Sequence, residues 1–216
     1  NKKIIKCKKC QRLVDFREKI AEEKTKRFKD QKYWGKPITG FGDPKARVVF
    51  VGLAPAAHGG NRTGRVFTGD KSAEFLFKCM FKVGYSNKPS SEYVGDGLKL
   101  IDAYLTTALK CVPPQDKPTS LELQNCFSFF NQEIEILSNI RVVVCLGRIA
   151  FDACIKSFDL KKNGYIFSHG KLNKVRNNFY LASSYHPSPR NVNTGRLSEV
   201  SMVAFLKSLR NLGDHI

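Results

Sequence analysis

Four short runs of apolar and β-branched residues punctuate the chain, at positions 47–51, 103–109, 141–146 and 179–183. Three of them are nearly continuous in apolar character, as strands covered on both faces are. Between the runs lie residues 72–83, 120–137 and 150–156, which are long enough for helices. The alternation predicts an α/β fold of three layers, α/β/α, around a central four-stranded, mainly parallel sheet. Ahead of it, residues 10–32 set Leu13, Phe16, Ile20 and Phe28 among charged residues, the pattern of an amphipathic helix with a basic outer face. Residues 34–44 are crowded with Gly and Pro and read as an irregular connector.

Parallel sheets bind ligands beyond the C-terminal ends of their strands. The segments just after the first and fourth runs, residues 52–60 and 184–191, are rich in Gly, Pro, Ser and His. Conserving the logic of rigid strands and functional loops, chemistry belongs there.

The 216 residues suit one domain, residues 1–216, in which 1–46 form a basic N-terminal extension packed on the core. Charge then narrows the partner. Lys and Arg number 37 against 19 Asp and Glu, a formal net charge of +18. Residues 1–36 hold 14 basic and 5 acidic side chains, so half of the excess lies there and half elsewhere. Such an excess draws a polyanion, nucleic acid before any other. No apolar run reaches bilayer length, and Asn1-Lys2-Lys3-Ile4-Ile5-Lys6 lacks the apolar stretch of a signal peptide, which leads us to expect a soluble, cytoplasmic protein with no membrane partner. Seven cysteines in that setting favour metal ligation over disulfides.

Two long loops carry a resemblance. Residues 52–70 begin Gly52-Leu53-Ala54-Pro55-Ala56-Ala57-His58 and end Val66-Phe67-Thr68-Gly69-Asp70, and residues 185–197 begin Tyr185-His186-Pro187-Ser188-Pro189-Arg190-Asn191. Together with the connector 34–47 they resemble the signatures of the family-5 (B-type) uracil-DNA glycosylases, over most of the chain. The resemblance implies an enzyme that flips a deaminated base out of DNA and hydrolyses its N-glycosidic bond, leaving an abasic site. It implies uracil as substrate, with hypoxanthine as a further one.

That chemistry requires an aromatic platform and donors aimed at the base. By the resemblance Phe67 is the platform, and backbone around Gly52, Ala54 and Ala56 approaches the base. His186 stands where a donor steadies the negative charge that builds on a uracil carbonyl oxygen. Many relatives place a carboxylate or amide early in the first loop, where this chain has Leu53 and Ala54. Asp70 is the substitute the resemblance suggests, and the cap of a helix beginning near Ser72 is its equally weighted alternative. An asparagine commonly read at the end of the second strand is replaced by Thr107, which offers one hydroxyl in place of an amide. Arg62, Arg65, Arg190, Asn191 and Arg196 lie on the two loops as DNA contacts.

Cys7-Lys8-Lys9-Cys10 alone fits zinc, redox chemistry or a cluster. With Cys111 and Cys126 it resembles the structural [4Fe–4S] site of family-4 and family-5 enzymes; zinc would satisfy the same four thiolates. Cys79, Cys145 and Cys154 lie among apolar residues and read as small buried hydrophobes. Two other classes compete: a non-catalytic nucleic-acid-binding protein with a structural zinc site, and an iron–sulfur enzyme with redox or radical chemistry. The first leaves both loops without a purpose.

Overall fold

The computed structural model describes residues 2–214. Its centre is a sheet of six strands: β1 (Phe41–Gly42), β2 (Val48–Gly52), β3 (Ala103–Thr107), β4 (Val142–Leu146), β5 (Lys171–Arg176) and β6 (Phe179–Ser184). They lie in the order β1-β3-β2-β4-β6-β5. The four expected strands form the parallel centre, β3-β2-β4-β6. Two antiparallel edges, β1 on β3 and β5 on β6, correct the expected count from four to six.

Both edges evade an apolar pattern for physical reasons. The sequence of β5, Lys-Leu-Asn-Lys-Val-Arg, exposes its three cations, Lys171, Lys174 and Arg176, as an edge strand that must not recruit another chain should. β1 is two residues long, inside the glycine-rich connector.

The central strands alternate between two cores. From β2, Val48 and Phe50 enter one apolar cluster with Leu76, Phe77, Met202 and Leu206. Val49 and Val51 enter the other with Phe130, Leu137, Phe151 and Ile155. The helices are α1 (Lys2–Ile5), α2 (Gln11–Glu23), α3 (Gly60–Thr63), α4 (Lys71–Lys82), α5 (Ser120–Ile136), α6 (Arg148–Ser157), α7 (Pro189–Asn193) and α8 (Glu199–Asp214). α4 and α8 therefore cover one face and α5 and α6 the other, the expected three layers. α8 is an element to which the strand pattern gave no clue.

α2 ends earlier than its charge pattern suggested. Lys24 turns into left-handed backbone, φ 55°, and closes the helix on the Ile20 carbonyl. Leu13, Val14 and Arg17 are its buried residues. The basic helix thus buries one of its own cations, and what Arg17 meets there belongs to the cysteine site. Among the described residues no helix is long and apolar enough to cross a membrane.

Candidate active site and cysteine site

The register of β2 and β3 sets Gly52 beside Thr107 at the C-terminal edge of the sheet. The amides of Ala108 and Leu109 donate to the carbonyls of Gly52 and Leu53, at 3.0 and 2.9 Å, fastening the start of the first loop. A Cβ on Gly52 would lie 2.8 Å from Phe67, so glycine is what lets that ring settle on the strand end. Phe67 itself has φ 45°, left-handed backbone for a bulky side chain. Such strain costs roughly 1–3 kcal/mol and persists only where neighbours over-determine it.

Those neighbours include Arg65, which revises its expected role. Its guanidinium is buried, with 6% of the residue exposed. It pairs with Asp96 through two bonds of 2.9 and 2.7 Å and donates to Thr68 Oγ1 and Ser91 Oγ, both at 2.9 Å. Arg62 is likewise committed, donating to the His58 and Gly69 carbonyls and to Gln31 Oε1 while stacking 3.9 Å over Phe28. Neither is free to anchor a phosphate; both are bolts that hold the loop around Phe67. In a sequence, a loop arginine that binds DNA and one that braces the loop look alike.

The second loop rises from β6. Ser188 caps α7 by accepting from the Asn191 amide at 3.4 Å, with Pro189 in the first turn. Asn191 Nδ2 donates to the His186 carbonyl at 2.8 Å, so Asn191 positions His186 instead of reaching outward. His186 is half-buried and its ring lies 6.4 Å from that of Phe67, tilted by 32°. Burial lowers its pKa from the usual 6.5, against a raising influence of Asp116. The ring is therefore neutral at pH 7 and can donate from one nitrogen. Arg190 and Arg196 are exposed, Arg196 over the ring of Tyr185 at 4.4 Å.

Between the two loops opens a cavity of about 380 Å³. Leu53, Ala54 and Ala56 line one side, and His186, Ser188, Gly147 and Arg148 line others. Asp116 and exposed Arg148 belong to it as well, and sequence reasoning passed over both. The signal for Asp116 lay in the proline-bracketed polar turn after β3, the same kind of segment as the two loops that were singled out.

Asp70 stands apart from this cavity. Its Oδ1 accepts from the Ala73 amide at 2.9 Å and so caps α4, one of the two roles weighed for it. It lines a second cavity with Arg27, Phe28, Arg62 and Lys71. Burial pushes its carboxyl above the usual carboxylate range, opposed by the Ala73 and Ser72 amides and by Arg62. A Cβ on Gly59 would fall 2.0 Å from its other oxygen, so this loop glycine exists to admit the carboxylate.

Behind the cavity floor, Thr107 is 2% exposed and its Oγ1 is buried with no hydrogen-bond partner among the described residues. Its carbonyl accepts from Lys110 Nζ at 2.8 Å. Lys110 is buried too, paired with Glu133 and bonded to Thr106 Oγ1 at 2.7 Å. Glu133 Oε1 accepts from the Gly40 amide at 2.9 Å, joining the connector to this network.

One residue on, the cysteines begin. Cys7, Cys10, Cys111 and Cys126 line one cavity, with Arg17, Lys110 and Asn125 around it. Three donors point at their sulfurs: Arg17 Nη1 to Cys111 at 3.0 Å, the Lys110 amide to Cys126 at 3.3 Å, and Asn125 Nδ2 to Cys10 at 3.5 Å. Burial pushes the Cys126 thiol up to about 12 and raises that of Cys111, with Lys110 and Arg17 respectively opposing. Among the described residues no three His, Cys, Asp or Glu side chains stand close enough together to hold a single metal ion. Cys79, Cys145 and Cys154 are buried away from this cavity, as expected of small hydrophobes.

Comparison with known proteins gives a consistent result. The model of the uracil DNA glycosylase superfamily matches residues 39–210. A type-5 uracil-DNA glycosylase of Thermus thermophilus is 43% identical over 206 residues, covering 95% of this chain and 93% of the relative. One from Pyrobaculum aerophilum is 45% identical over 205 residues, covering 95% and 88%. A type-4 uracil-DNA glycosylase of Archaeoglobus fulgidus is 29% identical over 155 residues, 70% of each chain.

Proposed function

The chain belongs to the uracil DNA glycosylase superfamily, and from that premise we infer that it is a monofunctional uracil-DNA glycosylase, a hydrolase that flips uracil from DNA and cuts its N-glycosidic bond. The observation that carries the reading is the cavity at the C-terminal edge of the sheet, with the Leu53–Ala56 backbone on one side and His186 on another, beside Phe67. A base entering there meets an aromatic ring and a neutral imidazole donor, and negative charge on its carbonyl oxygen is met by a fixed dipole. Exposed Arg148 lines the cavity, and exposed Arg190 and Arg196, on the loop that carries His186 and the segment after it, are available to phosphates. A non-catalytic zinc module would have no use for this arrangement.

The substrate range extends past uracil to other deaminated bases such as hypoxanthine. Thr107 supports this by what it leaves out: buried and outside the lining of the cavity, it presents no paired donor and acceptor of an amide to the base, so fewer base edges are rejected. The test is to incubate the protein with oligonucleotides bearing uracil, hypoxanthine or a thymine mismatch and then cleave abasic sites with alkali. Release of uracil is expected to be fastest, with hypoxanthine measurable. No strand cleavage from any of them would overturn the reading.

Cys7, Cys10, Cys111 and Cys126 would hold a [4Fe–4S] cluster whose contribution is structural. A single zinc ion needs its four sulfurs at about 2.3 Å from one point, whereas a cluster takes one thiolate at each corner of its own volume. Four cysteines spread around a cavity, with three N–H donors on their sulfurs, suit the second. Hydrolysis moves no electron through it. These ligands join α2 and its preceding turn to the strand β3 exit and to α5, segments far apart in sequence. Cys111→Ala is therefore expected to lose the brown colour and the bound iron and to unfold at lower temperature, while Cys79→Ala keeps its iron. Iron analysis and a visible spectrum decide it, and full iron in Cys111→Ala sinks the ligand assignment.

A further inference from the structure

The side of α2 that meets the cysteine cavity carries one cation. Cys10, Leu13, Val14 and Arg17 follow the i, i+3, i+4, i+7 spacing that aligns side chains along one face of a helix, and all four line the cavity. Arg17 is 3% exposed among them. A guanidinium stays charged in a protein, so burying it is costly unless its charge and its N–H groups find partners. Its backbone is fixed in place, because Asn61 Nδ2 donates to the Arg17 carbonyl at 3.2 Å.

The donors of Arg17 are only partly used by the protein. Nη1 donates to Cys111 Sγ at 3.0 Å and to the Cys7 carbonyl at 3.3 Å, which joins two of the cysteine-bearing segments. Nη2 lies 3.6 Å from Glu18 Oε1, but that side chain is 56% exposed, and water screens the pair. Nε is buried and has no hydrogen-bond acceptor among the described residues. Three cations line this cavity, Lys9, Arg17 and Lys110. Lys110 gives its ammonium to Glu133, and exposed Lys9 sets its own over the Phe129 ring at 5.1 Å. Arg17 is therefore the cation that faces the thiolates, and its Nε–H calls for an acceptor that the protein does not supply.

We propose that Arg17 is a positioning residue for the iron–sulfur cluster: Nη1 holds the Cys111 thiolate, Nε donates to an inorganic sulfide of the cluster, and the buried charge makes the cluster easier to reduce. The proposal rests on the cluster reading of Cys7, Cys10, Cys111 and Cys126 above. The orphan Nε also separates the two metals. A zinc ion adds no acceptor to its four thiolates, whereas a cluster brings sulfides of its own into the same cavity. Hydrogen bonds to the sulfurs and a cation beside them favour the more negative, reduced state, and so raise the reduction potential.

Two variants test this on the whole protein, purified without air. Arg17→Met removes the charge and every donor, and Arg17→Lys keeps the charge but loses the planar fork. Wild-type protein is expected to contain iron and acid-labile sulfide together, and its resonance Raman sulfide bands should move between H2O and D2O. Both variants should lose part of that movement. At a fixed electrode potential the ratio of reduced to oxidised cluster should fall about tenfold in Arg17→Met, a midpoint about 59 mV lower for one electron, and by less in Arg17→Lys. A purely structural arginine would lower iron content and melting temperature and leave the bands and midpoint of the remaining clusters unmoved. Loaded variants with wild-type bands and midpoint therefore overturn the proposal and leave the cluster reading intact. If Arg17→Met holds no iron, the bands of Arg17→Lys decide alone, and an unchanged D2O response there overturns the proposal. Wild-type protein that carries zinc in place of iron and sulfide overturns the cluster reading and this proposal together.

Discussion

Replacing His186 by alanine is expected to slow uracil release about 10²–10³-fold at saturating enzyme, the usual consequence of removing one well-placed donor to a developing anion. The loss should fall on the single-turnover rate rather than on DNA affinity, because the imidazole is fixed before any substrate arrives. Asn191 holds its carbonyl, the Ser188-capped turn holds the loop, and the ring faces Phe67 across the cavity edge. The pH dependence separates the two forms the ring can take. Burial lowers the His186 pKa below 6.5, so an enzyme that uses the neutral ring keeps its His186 contribution from pH 7 to pH 9. An enzyme that needed the imidazolium would lose rate as pH rose through that value. Asp70→Ala serves as the contrast, with a smaller loss on uracil and a stability cost of about 0.5–2 kcal/mol for the missing α4 cap. Equal rate losses in the two variants would mean that the loop collapses as a unit and that no donor role belongs to His186.

The parts of this site that were legible in the sequence are those whose residue type and position carry one physical meaning. Apolar β-branched runs between helix-length segments fix a parallel sheet, and its C-terminal edge then selects the two loops. The family resemblance of those loops adds His186 and Phe67, whose rings lie 6.4 Å apart, and the four cysteines, which line one cavity. Arg62 and Arg65 were misjudged because a guanidinium has the same letter whether it faces a phosphate or a set of protein acceptors, and only contacts such as those with Asp96 and Gly69 decide it. Asp96 and Gly69 pair with them across gaps that no local pattern spans. Asp116 was missed for the opposite reason: its turn is short, exposed and rich in proline, which reads as plain connection until a cavity is seen behind it. β5 was missed because its strand pairs at an exposed edge, where lysine protects the backbone and erases the apolar signal.

The second large effect lies beneath the site, where sequence gives no warning at all. Glu133→Ala is expected to destabilise the protein by about 3–5 kcal/mol, since it strands the buried Lys110 ammonium without its counter-charge. Lys110 and Glu133 are 1% and 7% exposed, so water cannot take the carboxylate's place. The loss extends to two further bonds, from Thr106 Oγ1 at 2.6 Å and from the Gly40 amide at 2.9 Å to the carboxylate. For a chain of this length the melting temperature should fall on the order of 10 °C. Removing both charges with residues of similar volume, Lys110→Met with Glu133→Leu, should return much of the stability, because a buried pair and a packed apolar pair are often close in free energy. It should not return the tether on the Thr107 carbonyl. The double variant is thus expected to melt near the wild type yet release uracil more slowly, and urea unfolding beside single-turnover rates reads the two quantities separately. If Glu133→Ala costs under about 1 kcal/mol, the pair is hydrated in solution, and the floor of the cavity is held by the strand bonds of β2 and β3 alone.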